Sequence, residues 1–146
     1  MRRTIGVLLV LLSAFAADSL SAQEMGQPAA SGQAGGFQLE QNYPNPFNPE
    51  TTIPFSLSSD LWEDGQRPVV TLRIFNVLAQ LVAVPVLQGT GEPLNGIELA
   101  WNGTGNFAAY WDGKVRGTDR EAASGVYVYQ ITVNGFRDTK RMTIIK

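Results

Sequence analysis

Gly125-Val126-Tyr127-Val128-Tyr129-Gln130-Ile131-Thr132-Val133-Asn134-Gly135-Phe136 is the stretch whose periodicity decides the fold class. Tyr127, Tyr129, Ile131 and Val133 recur at every second residue, with Val128, Gln130 and Thr132 between them. Successive side chains of an extended chain point to opposite faces, so this alternation predicts a strand with one buried face. Asn134-Gly135 follows directly. A two-residue type I′ turn needs positive φ at both central positions, which asparagine and glycine tolerate, so a hairpin is predicted here. Met142 and Ile144 then complete the returning strand.

Further strands are read outward from this hairpin. Ile53, Phe55 and Leu57 alternate with polar residues, and Pro54 among them suggests an edge strand. Val70, Leu72 and Ile74 form the next strand, residues 76–80 a turn, and residues 81–87 one returning strand. Ile97, Leu99 and Trp101 alternate again, and residues 107–111 are short and aromatic. Residues 58–68, 88–96 and 112–124 read as loops. Trp101, Trp111, Tyr127 and Tyr129 are expected in the core or at its edge. Several short strands with turn signals between them, and no helical period, predict an antiparallel β-sandwich.

The segment before these strands is unusual. Phe37, Leu39, Tyr43 and Phe47 punctuate a run containing Pro44, Pro46 and Pro49 with Asn42, Asn45 and Asn48. Proline excludes a helix and cannot donate to a sheet ladder. Asparagine side chains can bond nearby backbone groups in its place. The segment is expected to be extended or turning, pinned to the domain by its four apolar anchors.

The chain of 146 residues begins as a secretory leader. Arg2 and Arg3 precede an apolar run over residues 5–17, and the small residues Ser19, Ser21 and Ala22 offer cleavage sites for a signal peptidase. Residues 1–22 are therefore read as a signal peptide, with an uncleaved anchor as the rival reading. The apolar run is short of the roughly 20 residues a spanning helix needs. Residues 23–36 are small, polar and glycine-rich, and read as a flexible linker. Residues 37–146 form the domain. The linker is too short to be a cargo domain of its own.

Composition narrows the chemistry. After removal of the leader the formal charge is −3, with Arg2, Arg3 and Asp18 lost, which disfavours nucleic acid as a partner. There is no cysteine and no histidine. Disulfides are thus excluded, as are the commonest general base and the commonest zinc ligand. Lys114, Lys140 and Lys146 lie in polar or terminal segments, unlike the desolvated lysine that a serine–lysine pair requires. The chain is accordingly expected not to be an enzyme, with no cofactor and no metal. Asp60, Glu63 and Asp64 share one loop but lack the alternate spacing of a calcium loop, and read as solvated acids. Trp111-Asp112-Gly113 with Ser124-Gly125-Val126-Tyr127 could form a sugar-binding patch. Tight turns at Gly113 and Gly125, with Trp111 packed inward, is the stronger reading.

Residues 39–53, Leu39-Glu40-Gln41-Asn42-Tyr43-Pro44-Asn45-Pro46-Phe47-Asn48-Pro49-Glu50-Thr51-Thr52-Ile53, resemble the opening of the type A C-terminal sorting domain carried by substrates of bacterial type IX secretion. Val70-Thr71-Leu72-Arg73-Ile74-Phe75-Asn76-Val77-Leu78-Ala79-Gln80 looks like its second block, with Ala79 where that family usually has glycine. Trp111-Asp112-Gly113, Ala123-Ser124-Gly125-Val126-Tyr127 and the terminal residues 140–146 look like the remaining blocks. These later blocks are also similar to the immunoglobulin-like domain of the flagellar hook-capping protein. The resemblance implies an immunoglobulin-like or fibronectin III-like sandwich of about seven strands. It also implies a route: through the inner membrane to the periplasm, then by outer-membrane sorting machinery to the cell surface or medium. Asn42, Pro44, Asn45, Pro46, Phe47, Asn48, Pro49, Trp111, Asp112, Gly113, Ser124, Gly125 and Tyr127 are its motif residues. Recognition by that machinery is implied for the last strands, where Arg137, Lys140, Arg141 and Lys146 are the candidates. The alternative is a free-standing immunoglobulin-like structural or adhesive module. A cargo lost from a larger gene is a third possibility. Nothing in the sequence fixes the oligomeric state.

Overall fold

A computed structural model describes residues 35–146. The leader read over residues 1–22, and the linker up to residue 34, lie outside the described residues. The described chain is an antiparallel β-sandwich. Its nine strands are β1 (Phe37–Leu39), β2 (Thr51–Leu57), β3 (Val69–Phe75), β4 (Leu81–Ala83), β5 (Val86–Leu87), β6 (Asn95–Glu98), β7 (Asn106–Trp111), β8 (Gly125–Val133) and β9 (Phe136–Ile144). One sheet has the order β1-β2-β7-β5. The other runs β4-β3-β8-β9, with β6 also paired to β3.

The alternation read from the sequence sets the core. Ile53, Phe55 and Leu57 of β2 and Ala109 of β7 face Val70, Leu72 and Ile74 of β3 and Tyr129, Ile131 and Val133 of β8, all buried. The hairpin forms as its turn residues require: Asn134 has φ 49° and Gly135 φ 88°, and Val133 pairs with Phe136.

Several expectations are corrected. Residues 81–87 are not one strand. Pro85 lies between β4 and β5, which belong to opposite sheets, so the chain changes sheets where the proline denies a ladder donor. Residues 58–68 hold short 3₁₀ turns at Ser59–Gly65, and Leu61 and Trp62 pack against the core. The strand predicted through Trp101 ends at Glu98. The ladder with β3 ends at the Val69–Glu98 pair, so Leu99 is still buried while Trp101, beyond the last pair, is not. Trp111, Tyr127 and Tyr129 are buried as expected.

Pro54 is not on an edge strand, because β2 lies between β1 and β7. It sits where β1 ends. Glu40 donates its N–H to the Pro54 carbonyl at 3.0 Å, and the return bond of that pair is impossible without a proline N–H. The Glu40 carbonyl is thereby left for another donor.

Candidate functional site

That donor is Tyr129, the largest fully buried side chain. Its hydroxyl donates to the Glu40 carbonyl at 2.7 Å and accepts the Asn42 N–H at 3.0 Å. One phenol on β8 thus holds two backbone groups of a segment almost ninety residues away in sequence. Burial, opposed by the Asn42 bond and reinforced by Asp138, pushes the Tyr129 pKa up to about 12.

Asn42 is buried as well. Its Nδ2 donates to the Pro44 carbonyl at 3.2 Å and to Thr51 Oγ1 at 3.0 Å, replacing ladder bonds that the prolines cannot make. The segment then runs along the outer edge of β9. Asn45 Oδ1 accepts the Thr143 N–H at 3.0 Å. Phe47 donates its N–H to the Thr143 carbonyl at 3.0 Å, and Ile145 returns a bond to the Phe47 carbonyl at 3.2 Å. Gln41 Nε2 donates to the Arg141 carbonyl at 2.9 Å. The outward backbone groups of β9 from Arg141 to Ile145 are covered in this way. An open sheet edge is a template for aggregation, and half of this one is closed.

The other motif residues converge on the same end of the sandwich. The buried ring of Phe47 meets Trp111 edge-on at 5.4 Å, and Trp111 meets Tyr127 at 6.0 Å. Trp111 Nε1 donates to the Lys114 carbonyl at 3.0 Å, and Asp112 Oδ1 accepts the Lys114 N–H at 2.9 Å. Gly113 is required twice. Its φ is +80°, and a Cβ there would stand 1.9 Å from the Pro49 carbonyl oxygen. Tyr127 donates its hydroxyl to the Ala123 carbonyl, and Ser124 Oγ accepts the Lys146 N–H. Gly125 has φ 149°, and the Asn48 side chain is exposed. Pro46 is exposed, between the two bonded residues Asn45 and Phe47. Asn42, Asn45, Phe47, Trp111, Gly113 and Tyr127 thus form one clasp that locks the lead-in segment to the last strand.

The four candidate recognition cations do not cluster. Arg137 lies at the Asn134–Gly135 turn and Lys146 at the opposite end, roughly 30 Å away at ~3.3 Å per residue. Arg137 and Arg141 are exposed on the outer face of the sheet. Lys140 is opposite Tyr129 on the core side, half-buried. Lys146 Nζ lies 3.6 Å from Glu121 Oε2. Together with the largely buried Asp138, Lys140 gives the open half of β9 two inward-facing charges, a further guard against edge pairing.

Tyr43, expected as an anchor, is 59% exposed. The segment is pinned by hydrogen bonds at Asn42 and by Phe47, so the Tyr43 ring is free to face out. Trp101 is also exposed, at 45%, and its ring packs edge-on against Trp62 with centroids 4.9 Å apart. Both line an open cleft of about 720 Å³ over β2 and β7. Trp62 was legible only as an apolar pair, Leu61-Trp62, inside an otherwise polar loop.

No family model matches the chain. No curated protein matches it either. Among solved structures it is similar to the alkylpurine DNA glycosylase AlkC of Pseudomonas fluorescens bound to DNA containing an abasic site analog. The two are 16% identical with a TM-score of 0.44, over 77% of this chain and 31% of that one. The chain thus spans about a third of that protein's length. The expectation that the chain is not an enzyme is corrected here and withdrawn, because this structural neighbour is an enzyme. At that identity and TM-score, the likeness assigns no glycosylase chemistry to any residue of this chain.

Proposed function

We propose that this sandwich is a C-terminal sorting domain, recognised by outer-membrane export machinery of the type IX kind and delivered to the cell surface. The observation that carries the proposal is the clasp. The opening block of residues 42–49, Trp111-Asp112-Gly113, Ser124-Gly125 and the final strand are far apart in sequence but meet at one end. A folded domain that fixes its own last strand against its first segment presents the rest of β9 in a defined shape. Arg137 and Arg141 extend from that strand on its exposed face, where a partner can read them without the domain opening.

Deleting residues 137–146 would be a poor test, since Met142 and Ile144 are core residues. Charge reversal is cleaner. Arg137→Glu with Arg141→Glu should leave the thermal transition in place in a host that carries the type IX translocon. Quantitative peptide mass spectrometry on periplasm, washed outer membrane and medium should then find the variant held in the periplasm. Unchanged surface delivery of the folded variant refutes recognition through these cations.

A second reading, a surface module of the immunoglobulin-like kind, is favoured by the exposed aromatic cleft. It requires peptides of residues 121–137 to persist outside the cell. A removable sorting signal requires them to stay in the periplasm.

A further inference from the structure

The cleft over β2 and β7 has an unusual combination of walls. Its floor is small: Pro54 and Ala108 are cross-strand partners on the outer face of their sheet. Tyr43 and Trp101 stand at its margins. Exposing two large aromatic rings forgoes the burial that drives folding. The backbone that carries the first ring, and the ring that backs the second, are nevertheless held in place. Tyr43 exchanges two backbone hydrogen bonds with Thr52, each 2.9 Å. Trp101 is backed by Trp62, whose Nε1 donates to the Leu99 carbonyl at 2.7 Å. Groups fixed before a ligand arrives lose little freedom when it binds. The cleft's volume of about 720 Å³ lies within the range of small-molecule and oligomer sites.

Charge narrows the ligand. Glu92 and Glu98 line the cleft, and among the described residues no lysine or arginine does. Phosphates, nucleic acids and acidic sugars are therefore repelled. A small cation needs aromatic faces within about 6 Å of it. Tyr43 stands beside Thr52 and Trp101 beside Leu57, about 17 Å apart along β2 at ~3.4 Å per residue, too far to enclose one. An elongated ligand is required. A proline-rich peptide can lie on aromatic rings, but its backbone offers mainly carbonyl acceptors, and carboxylates need donors. A sugar chain supplies both an apolar ring face and hydroxyl donors.

We propose that this cleft binds a neutral polysaccharide, with Tyr43 and Trp101 as two stacking platforms and Glu92 and Glu98 accepting hydroxyl hydrogen bonds. The inference does not depend on the export reading. It is tested by affinity electrophoresis of the whole protein through gels containing xyloglucan, galactomannan, hydroxyethylcellulose or dextran, with polygalacturonate and polyproline as comparison probes. At least one neutral polymer should retard the protein, and Tyr43→Ala should weaken that retardation at least tenfold with an unchanged circular dichroism spectrum. Glu98→Gln provides a second, conservative variant and should weaken binding several-fold. No retardation by any neutral polymer overturns the proposal. So does retardation that both variants preserve, or retardation by polygalacturonate or polyproline alone.

Discussion

Phe47 and Tyr43 stand four residues apart in one asparagine–proline segment, yet Phe47 is 2% exposed and Tyr43 59%. The difference separates two regions of the molecule. At the clasp, aromatic rings are inside and their polar atoms hold distant backbone. At the cleft, rings of the same kind face solvent over a floor of proline and alanine. Aromatic content alone did not decide which ring is buried. The decision lies in which backbone groups the prolines leave without partners. Pro54 orphans the Glu40 carbonyl, Tyr129 satisfies it, and the segment is committed to one face from there. If this account is right, substitutions in the clasp should be costly and substitutions at the cleft nearly silent for stability.

The largest effect is expected at Gly113. An added methyl meets the Pro49 carbonyl and must adopt a positive φ. Left-handed backbone costs an L-residue roughly 1–2 kcal/mol and overpacking about 1–3 more, so Gly113→Ala should lose on the order of 3 kcal/mol. Urea unfolding measures this directly. A loss below about 1 kcal/mol would mean that the clasp yields easily, and the contrast between the regions would collapse.

Tyr129→Phe comes next. It keeps the ring and removes one oxygen, leaving the Glu40 carbonyl and the Asn42 N–H without their partner. Buried orphan groups cost about 1–3 kcal/mol each, with partial relaxation, so a loss of roughly 2 kcal/mol is expected. The same oxygen gives a pH signature. The phenol's pKa rises from 10.0 to about 12 on folding, so the folded state favours the neutral form. The stabilisation is complete below pH 10 and is lost as pH rises through 12, a fall of roughly 2–3 kcal/mol for this one group. Burial also raises the Tyr127 pKa, so the wild-type curve contains more than one phenol. The difference between wild type and Tyr129→Phe between pH 9 and 12 isolates Tyr129. Parallel curves would show that its hydroxyl is solvated.

Much of this was legible in the sequence. Period-two alternation gave the sandwich and the inward faces of β2, β3 and β8, and Asn134-Gly135 gave the final hairpin. Trp111 and Tyr127 were correctly placed inside. What was not legible depends on long-range pairing. Nothing local shows that Asn45 and Phe47 bond to Thr143, or that Pro54 lies in an inner strand whose lost donor is repaired from β8. Trp101 misled because its strand ends at Glu98, and beyond the last ladder pair the alternation no longer reports on the core. The candidate cations were legible as a basic terminus, but only the register shows them spread along ten residues of strand and tail, with Lys140 turned inward.

Ala79 separates clasp strain from ordinary turn strain. It closes the β3–β4 turn with φ 60°, a left-handed backbone that favours glycine. Asn76 Oδ1 holds this turn by accepting from Leu78 and Gln80, each at 3.0 Å, and the strained residue itself touches neither region compared above. Ala79→Gly removes a left-handed penalty of about 1–2 kcal/mol and adds unfolded-state entropy of roughly 0.5–1, so a gain of about 0.5–1 kcal/mol is expected. Thermal denaturation should show a rise of a few degrees, about 4–8 °C per kcal/mol for a domain of this size. A fall would mean that the turn does not hold Ala79 at positive φ.

The smallest effect is expected at Tyr43, and it is the sharpest test of the contrast. Its hydrogen bonds to Thr52 are made by backbone atoms and survive truncation of the side chain. Its ring contributes little burial, and the segment on either side is anchored by Asn42 and Phe47. Tyr43→Ala should therefore change stability by no more than about 0.5 kcal/mol, the range of ordinary surface substitutions. A loss of 2 kcal/mol in urea would place the ring among the residues that hold the segment down. The cleft would then be a by-product of the clasp. A silent substitution leaves the ring exposed at no benefit to folding, which is the condition under which an aromatic surface needs a ligand to explain it.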